Sequence, residues 1–149
     1  MPIVPFRGGI GDSVPGMTTV PLPRVVALVA LGAALGAVVR FGAEVAWPFR
    51  VDAPSWPWGT FTVNLVGCLL MGAFLGRVSV MERVPPYATP LITTGFLGGL
   101  TTFSTFALES VVAVEKGLVL MAAGYTIASV VLGILAVRVG WLIAARGSG

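Results

Sequence analysis

A few polar and aromatic residues in this 149-residue chain have the type and spacing to handle a small ion. Asn64 stands in the middle of an apolar run, WPWGTFTVNLVGCLLMGAFLG. Its amide offers donors and an acceptor, enough to hold an anion or to tie two helices together, the commoner use of asparagine in lipid. Phe103 and Phe106, three residues apart, are expected to share a helix face. A ring has a negative face and a positive edge, so paired ring edges give an anion weak positive potential, although phenylalanines so spaced also simply pack. Glu109 follows three residues later on the same face. A carboxylate within a membrane is costly, and marks a functional group or one hydrogen-bonded in a polar interior. Tyr125 and Ser129, four apart, extend a polar stripe. Arg40, one turn before Glu44, is either a snorkelling arginine paired locally or a positive group that gathers anions at a pore mouth.

These residues must be positioned by membrane helices. Only 10% of the chain is charged and 56% is hydrophobic, where a soluble domain carries about 25% charged residues. Histidine is absent and there is one cysteine, which leaves no histidine acid–base catalysis, His/Cys zinc site, Cys–His nucleophile or intrachain disulfide. The net charge of +3 comes from scattered single residues with no stripe to follow a phosphate backbone, so nucleic acid is not an expected partner.

A bilayer core takes about 20 apolar residues per helix, and four stretches qualify. They run from about Leu22 to Trp47, Trp56 to Gly76, Tyr87 to Val114 and Gly117 to Ala144. The expected fold is therefore an all-α integral membrane domain of four helices over residues 22–146. Residues 1–21, rich in Pro and Gly, read as a flexible tail without a signal peptide's apolar core, and residues 147–149 as a short carboxyl tail. Met17 is an alternative start. Gly32 and Gly36, Gly72 and Gly76, and Gly95 and Gly99 are small-xxx-small pairs, suited to close helix approach. Trp47, Trp56, Trp58 and Trp141 lie near span ends, where an aromatic belt meets the headgroups.

The third span is expected to break. Gly95, Gly98 and Gly99 precede Thr101, Thr102, Ser104 and Thr105, and both residue types weaken a helix. Unwound backbone inside a membrane needs protein or a wet cavity around it, and its freed carbonyls and amides are what channels and transporters use to bind ions. A flexible helix of small residues is the plainer alternative.

GFLGGLTTFSTFALE (95–109), GTFTVNLVGCLLMG (59–72) and GAALGAVVRF (32–41) together resemble the CrcB, or Fluc, family of fluoride channels, a likeness running from about Leu28 to Ile143. The resemblance implies an antiparallel dimer with two fluoride pores in the cell membrane, exporting fluoride passively. It assigns Phe103 and Phe106 to the pore walls, Asn64 to a pore hydrogen-bond donor, Glu109, Tyr125 and Ser129 to a polar track beside them, and Arg40 to the vestibule. It also implies a structural sodium ion (Na+) at the dimer centre, on the backbone carbonyls of Gly98 and Thr101. Gly133 departs from the pattern where a further hydroxyl is expected one turn after Ser129. No Lys or Arg is expected deep in a span, which leaves no full charge to trap the ion.

Arg7, Arg24, Arg77, Arg83 and Arg146 flank one side of the spans, against Arg50 and Lys116 with Arg40 nearby on the other. The bias favours both termini in the cytoplasm if orientation is fixed. The partner is then either a second copy inserted the opposite way, with the homodimer slightly preferred, or an oppositely oriented homologue. Among rival functions, a four-helix proton-coupled multidrug transporter needs a carboxylate deep in the first helix, where none precedes Glu44. A non-conducting assembly subunit would not need the asparagine, phenylalanine pair and glycine break together. No nucleophile–base or metal-ligand set suggests an enzyme.

Overall fold

The computed structural model describes residues 21–53 and 55–146; the tails expected at residues 1–21 (Pro21 apart) and 147–149, and the alternative start, lie outside them. Four helical spans account for most of the described chain, at Leu22–Ala46, Trp58–Val78, Pro90–Glu115 and Val119–Arg146. Each is apolar enough over a long enough window to cross a membrane.

Local sequence explains the ends. The first span starts with a proline in its opening turn, where the missing N–H costs no bond, and stops at Ala46, just ahead of Trp47–Pro48. The second closes where the Ser79 hydroxyl donates to the Gly76 carbonyl at 2.8 Å. The third ends in a Schellman arrangement around Gly117, at φ 77°: Gly117 N–H donates to Val114 O and Leu118 N–H to Ala113 O, both at 2.9 Å. Only glycine takes that backbone conformation without strain, and it turns the chain directly into the fourth span.

The glycine pairs are where backbones meet. A Cβ on Gly36 would run into the Phe96 carbonyl oxygen and one on Gly99 into that of Ala33, so the first span lies directly on the leading half of the third. A Cβ on Gly72 would strike Val137 O and one on Gly140 Leu69 O, so the second span lies as closely on the fourth. The trailing half of the third span then packs against the fourth. Between these pairs sits a small core of Val63, Leu97 and Leu100, flanked by Ala43, Met71, Ile92 and Phe96. Much of the remaining apolar surface is exposed in the single chain, as expected of a protein whose solvent is lipid.

The third span is interrupted as expected. Its leading half is π-helical over Pro90–Leu97, followed by a single α-turn at Gly98–Leu100, and helix resumes at Ser104–Glu115. Thr101 is extended, at φ −88° and ψ 154°. Both its N–H (3.0 Å) and its hydroxyl (2.9 Å) fall on Leu97 O, so the side chain competes with the backbone for the carbonyl that ends the leading half. The Thr102 hydroxyl accepts the Thr105 N–H at 3.2 Å and caps the trailing half.

One expectation fails. The fourth helix continues unbroken to Arg146, which places Arg138 inside it, eight residues from its end. That is about 12 Å of helix, so Arg138 lies within the span rather than flanking it. Its side chain is exposed, free to extend along the helix towards the headgroups.

Candidate functional site: the break in the third span

Asn64 does not point into open space. Its Nδ2 donates to Thr102 O at 2.9 Å and its Oδ1 accepts Thr102 N–H at 2.8 Å, so one amide satisfies both backbone groups of a residue in the break. Of the two roles read from sequence, bridging is the one present. The amide retains a second N–H for another acceptor.

Around the neighbouring turn, polar groups converge on Glu109, which is 5% exposed. The Thr60 hydroxyl donates to its Oε1 at 2.7 Å and the Tyr125 hydroxyl to its Oε2 at 2.9 Å. The carboxylate therefore fastens the second, third and fourth spans together at one point, with each oxygen holding a neutral donor. Tyr125 is itself only 1% exposed. Sequence reasoning missed Thr60, although it precedes Asn64 by four residues and so belongs to the same helix face.

The two phenylalanines meet, with ring centroids 5.9 Å apart, as their spacing implies: Phe103 has helical backbone angles, φ −91° and ψ −34°, and its carbonyl accepts the Ala107 N–H at 2.9 Å. Phe103 lies just outside the helix that starts at Ser104, because the break ends there. Its ring is 79% exposed in the single chain, while Phe106 is half-buried with its ring 5.1 Å from that of Tyr125. Exposed aromatic, half-buried aromatic, buried tyrosine and buried carboxylate thus follow one another from the surface inwards.

Ser129 is close in sequence to this group but not bonded to it. Its Oγ is inaccessible and has no hydrogen-bond partner. Where a hydroxyl was expected at 133, a Cβ on Gly133 would meet only the Cys68 Sγ, at 3.5 Å. A thiol on the second span faces the place where the fourth lacks a side chain.

Arg40 takes the local part of the two considered for it. Its Nη1 pairs with Glu44 Oε1 at 3.0 Å, and its Nε donates to Gly99 O at 3.2 Å, so a cation of the first span reaches the backbone just before the break. Among the described residues, the carbonyl oxygens of Gly98 and Thr101 accept no hydrogen bond. A 470 Å³ groove between the third and fourth spans is apolar, lined by residues such as Val111, Val114, Ala122 and Ile127, and none of the groups above lines it. The polar groups of the break lie elsewhere, ending at the exposed Phe103.

The chain resembles several proteins of known family. It is 46% identical over 117 residues to the "Fluoride-specific ion channel FluC 1" of Mycolicibacterium paratuberculosis, covering 77% of this chain and 86% of that one. It is 43% identical over 112 residues to the "Fluoride-specific ion channel FluC" of Chloroflexus aurantiacus, covering 75% and 88%. The corresponding protein of Rhizobium leguminosarum bv. trifolii is 40% identical over 113 residues, covering 76% and 90%. Residues 27–141, which contain all four spans' cores and every group described above, match the family described as "CrcB-like protein, Camphor Resistance (CrcB)". This four-span membrane protein belongs to the CrcB family.

Proposed function

We propose that the protein is a passive fluoride-selective channel of the cell membrane, which lets fluoride leave the cell and so relieves its toxicity. The observation that carries this reading is the row of aromatic and hydrogen-bonded groups at the break: exposed Phe103, Phe106, Tyr125 and the Glu109 cluster, with Asn64 alongside. The names of the similar proteins support the choice of ion.

Fluoride is small and tightly hydrated, and burying a bare ion in low dielectric costs tens of kcal/mol without replacement partners, of order 20 kcal/mol even in the Born picture for larger ions. Partners are available in neutral form. Asn64 has its second N–H, the Thr and Ser residues of the break have hydroxyls, and the two phenylalanines offer positive ring edges. Arg40, the nearest cation, is held by Glu44 and Gly99 O, so no free full charge stands in the row to trap the ion. Glu109, with both oxygens occupied, positions Thr60 and Tyr125.

One chain supplies only part of a conduit. Phe103 stands on the chain's surface, and the unpaired carbonyls of Gly98 and Thr101 need partners. A second chain inserted antiparallel would cover the aromatic ring and bring a second pair of carbonyls to the first. Hard oxygen donors of this type suit an alkali cation, so Gly98 and Thr101 of each chain would hold a structural sodium ion, which would satisfy the freed carbonyls and tie the subunits. The excess of Arg24, Arg77, Arg83 and Arg146 over Arg50 and Lys116 favours termini in the cytoplasm if orientation is fixed. The partner is either an oppositely inserted copy or an oppositely inserted homologue. Accessibility of a tag at each terminus separates them: labelling from both sides supports the homodimer, and one orientation alone rules it out.

Reconstituted into liposomes loaded with fluoride or chloride, with a homologous partner added where orientation is fixed, the purified protein is expected to release fluoride and retain chloride. Equal release of both ions, or of neither, overturns the proposal.

A further inference from the structure

Among the described residues, two buried side-chain polar atoms have no hydrogen-bond partner, Ser129 Oγ and Trp56 Nε1. Both flank Tyr125. Ser129 stands one turn further along the fourth span, and the Trp56 ring lies edge-on to the Tyr125 ring, with centroids 5.7 Å apart and planes at 78°. The Trp56 ring also rests near Gly124, whose added Cβ would come within 3.9 Å of it. The row described above therefore runs on past Tyr125: Ser129 lies towards one end of the fourth span, and Trp56 lies beside Tyr125 towards the span's start.

An indole N–H can only donate, and one left unpaired away from water costs free energy that a native structure normally recovers. Among the described residues nothing recovers it here. The tilted and edge-on rings of Trp58, Phe61 and Tyr125 hold the Trp56 ring in place without offering an acceptor to its nitrogen. What is missing is an acceptor, and a fluoride passing Tyr125 is a strong one.

We propose that Trp56 is a donor of the anion path, one step beyond Tyr125, whose indole N–H takes part of fluoride's hydration as the ion enters or leaves near the start of the second span. This rests on the fluoride-channel reading and extends it to a residue outside the break. The position suits exchange with water. Trp56 belongs to the non-helical stretch 55–57 that leads into the second span, and its side chain is half-buried, so part of the ring reaches the surface. Trp58, in the same aromatic cluster, is 56% exposed and has no such orphaned donor, which makes it the matched control.

The test is the indole ¹⁵N–¹H spectrum of tryptophan-labelled protein in micelles, titrated with sodium fluoride or sodium chloride, with the Trp56 signal assigned by its loss in Trp56→Phe. The Trp56 signal is expected to move saturably downfield with fluoride and stay still with chloride, while those of Trp47, Trp58 and Trp141 do not respond. In liposomes, Trp56→Phe keeps the ring but loses the donor and is expected to slow fluoride release about tenfold or more, as loss of a hydrogen bond to a charged group does. Trp58→Phe is expected to match the unaltered protein. A Trp56 signal that fluoride leaves unmoved, or a Trp56→Phe rate within twofold of the unaltered protein, overturns the assignment. Failure of the unaltered protein to release fluoride would instead sink the channel reading, and the spectrum would still decide whether Trp56 binds the anion.

Discussion

Replacing Asn64 by leucine isolates what holds the break open. The two side chains share the same number and branching of heavy atoms and leucine is the bulkier, so the change removes hydrogen bonds without leaving a cavity. It orphans both Thr102 N–H and Thr102 O, now held at 2.8 and 2.9 Å. A buried polar group left unsatisfied costs about 1–3 kcal/mol, which puts the pair at about 2–6 kcal/mol. Interhelical side-chain bonds in a membrane average only about 0.6 kcal/mol, because the unfolded chain finds other partners, and two such bonds give about 1.2 kcal/mol. Thr102 is half-buried, so water reaches part of it and the upper figure is excessive. An Asn64→Leu loss of about 2–3 kcal/mol follows, or roughly 30-fold to 150-fold in the folding equilibrium. Denaturant titration in mixed micelles, followed by tryptophan fluorescence, measures it. Fluoride release should fall together with stability, because Phe103 is the next residue after Thr102, and hydrogen exchange of the amides just after the break should quicken. A variant within about 0.5 kcal/mol of the unaltered protein, with normal release, would refute the bracket as the device that sets the break.

Three further outcomes follow from the same geometry. Phe103→Ile and Phe106→Ile should each abolish fluoride release while cross-linking traps the proposed dimer as in the unaltered protein, and normal release in both would remove the rings from the pathway. Gly72→Ala drives a Cβ into the Val137 carbonyl and should destabilise by about 1–3 kcal/mol in micelle unfolding. Gly42→Ala, with nothing within 4 Å, should instead be neutral or stabilise by about 0.5–1 kcal/mol, and equal effects at both positions would contradict the packing described. In Gly133→Ser the added Cβ meets only Cys68 Sγ, at 3.5 Å, and the variant should fold with a stability within about 1 kcal/mol and release fluoride at least as fast; a dead or unfolded variant would show that the gap at 133 is required.

The spans were legible because their signal is length and apolarity, which hardly depend on neighbours. The break was legible because three glycines and four hydroxyls in one run weaken a helix locally. The bracket on Thr102 was not, since an asparagine in a span suits an anion and a carbonyl equally well, and tertiary placement alone decides. The same holds for Glu109, whose two donors come from Thr60 on one span and Tyr125 on another. Thr60 carried a usable signal, four residues before Asn64, but a threonine in an apolar helix so often bonds its own backbone that spacing alone does not single it out. The contact of Phe103 with Phe106 was legible from their spacing, because Phe103 takes helical backbone angles as the residue that opens the helix at Ser104. Arg138 was hidden by its surroundings, AVRVGW, whose apolar average masks one cation that the exposed side chain can carry towards the interface.

The central claim is passive, fluoride-selective conduction, and a reversal potential tests it most directly. Purified protein, with its homologous partner if orientation proves fixed, is fused to a planar bilayer with fluoride on one side and chloride on the other. A fluoride gradient is then imposed at equal pH, and afterwards a pH gradient at equal fluoride. The current is expected to reverse at the fluoride equilibrium potential in the first case and at zero in the second, with no detectable chloride conductance. Reversal that follows the proton gradient, or that follows chloride, would contradict the account.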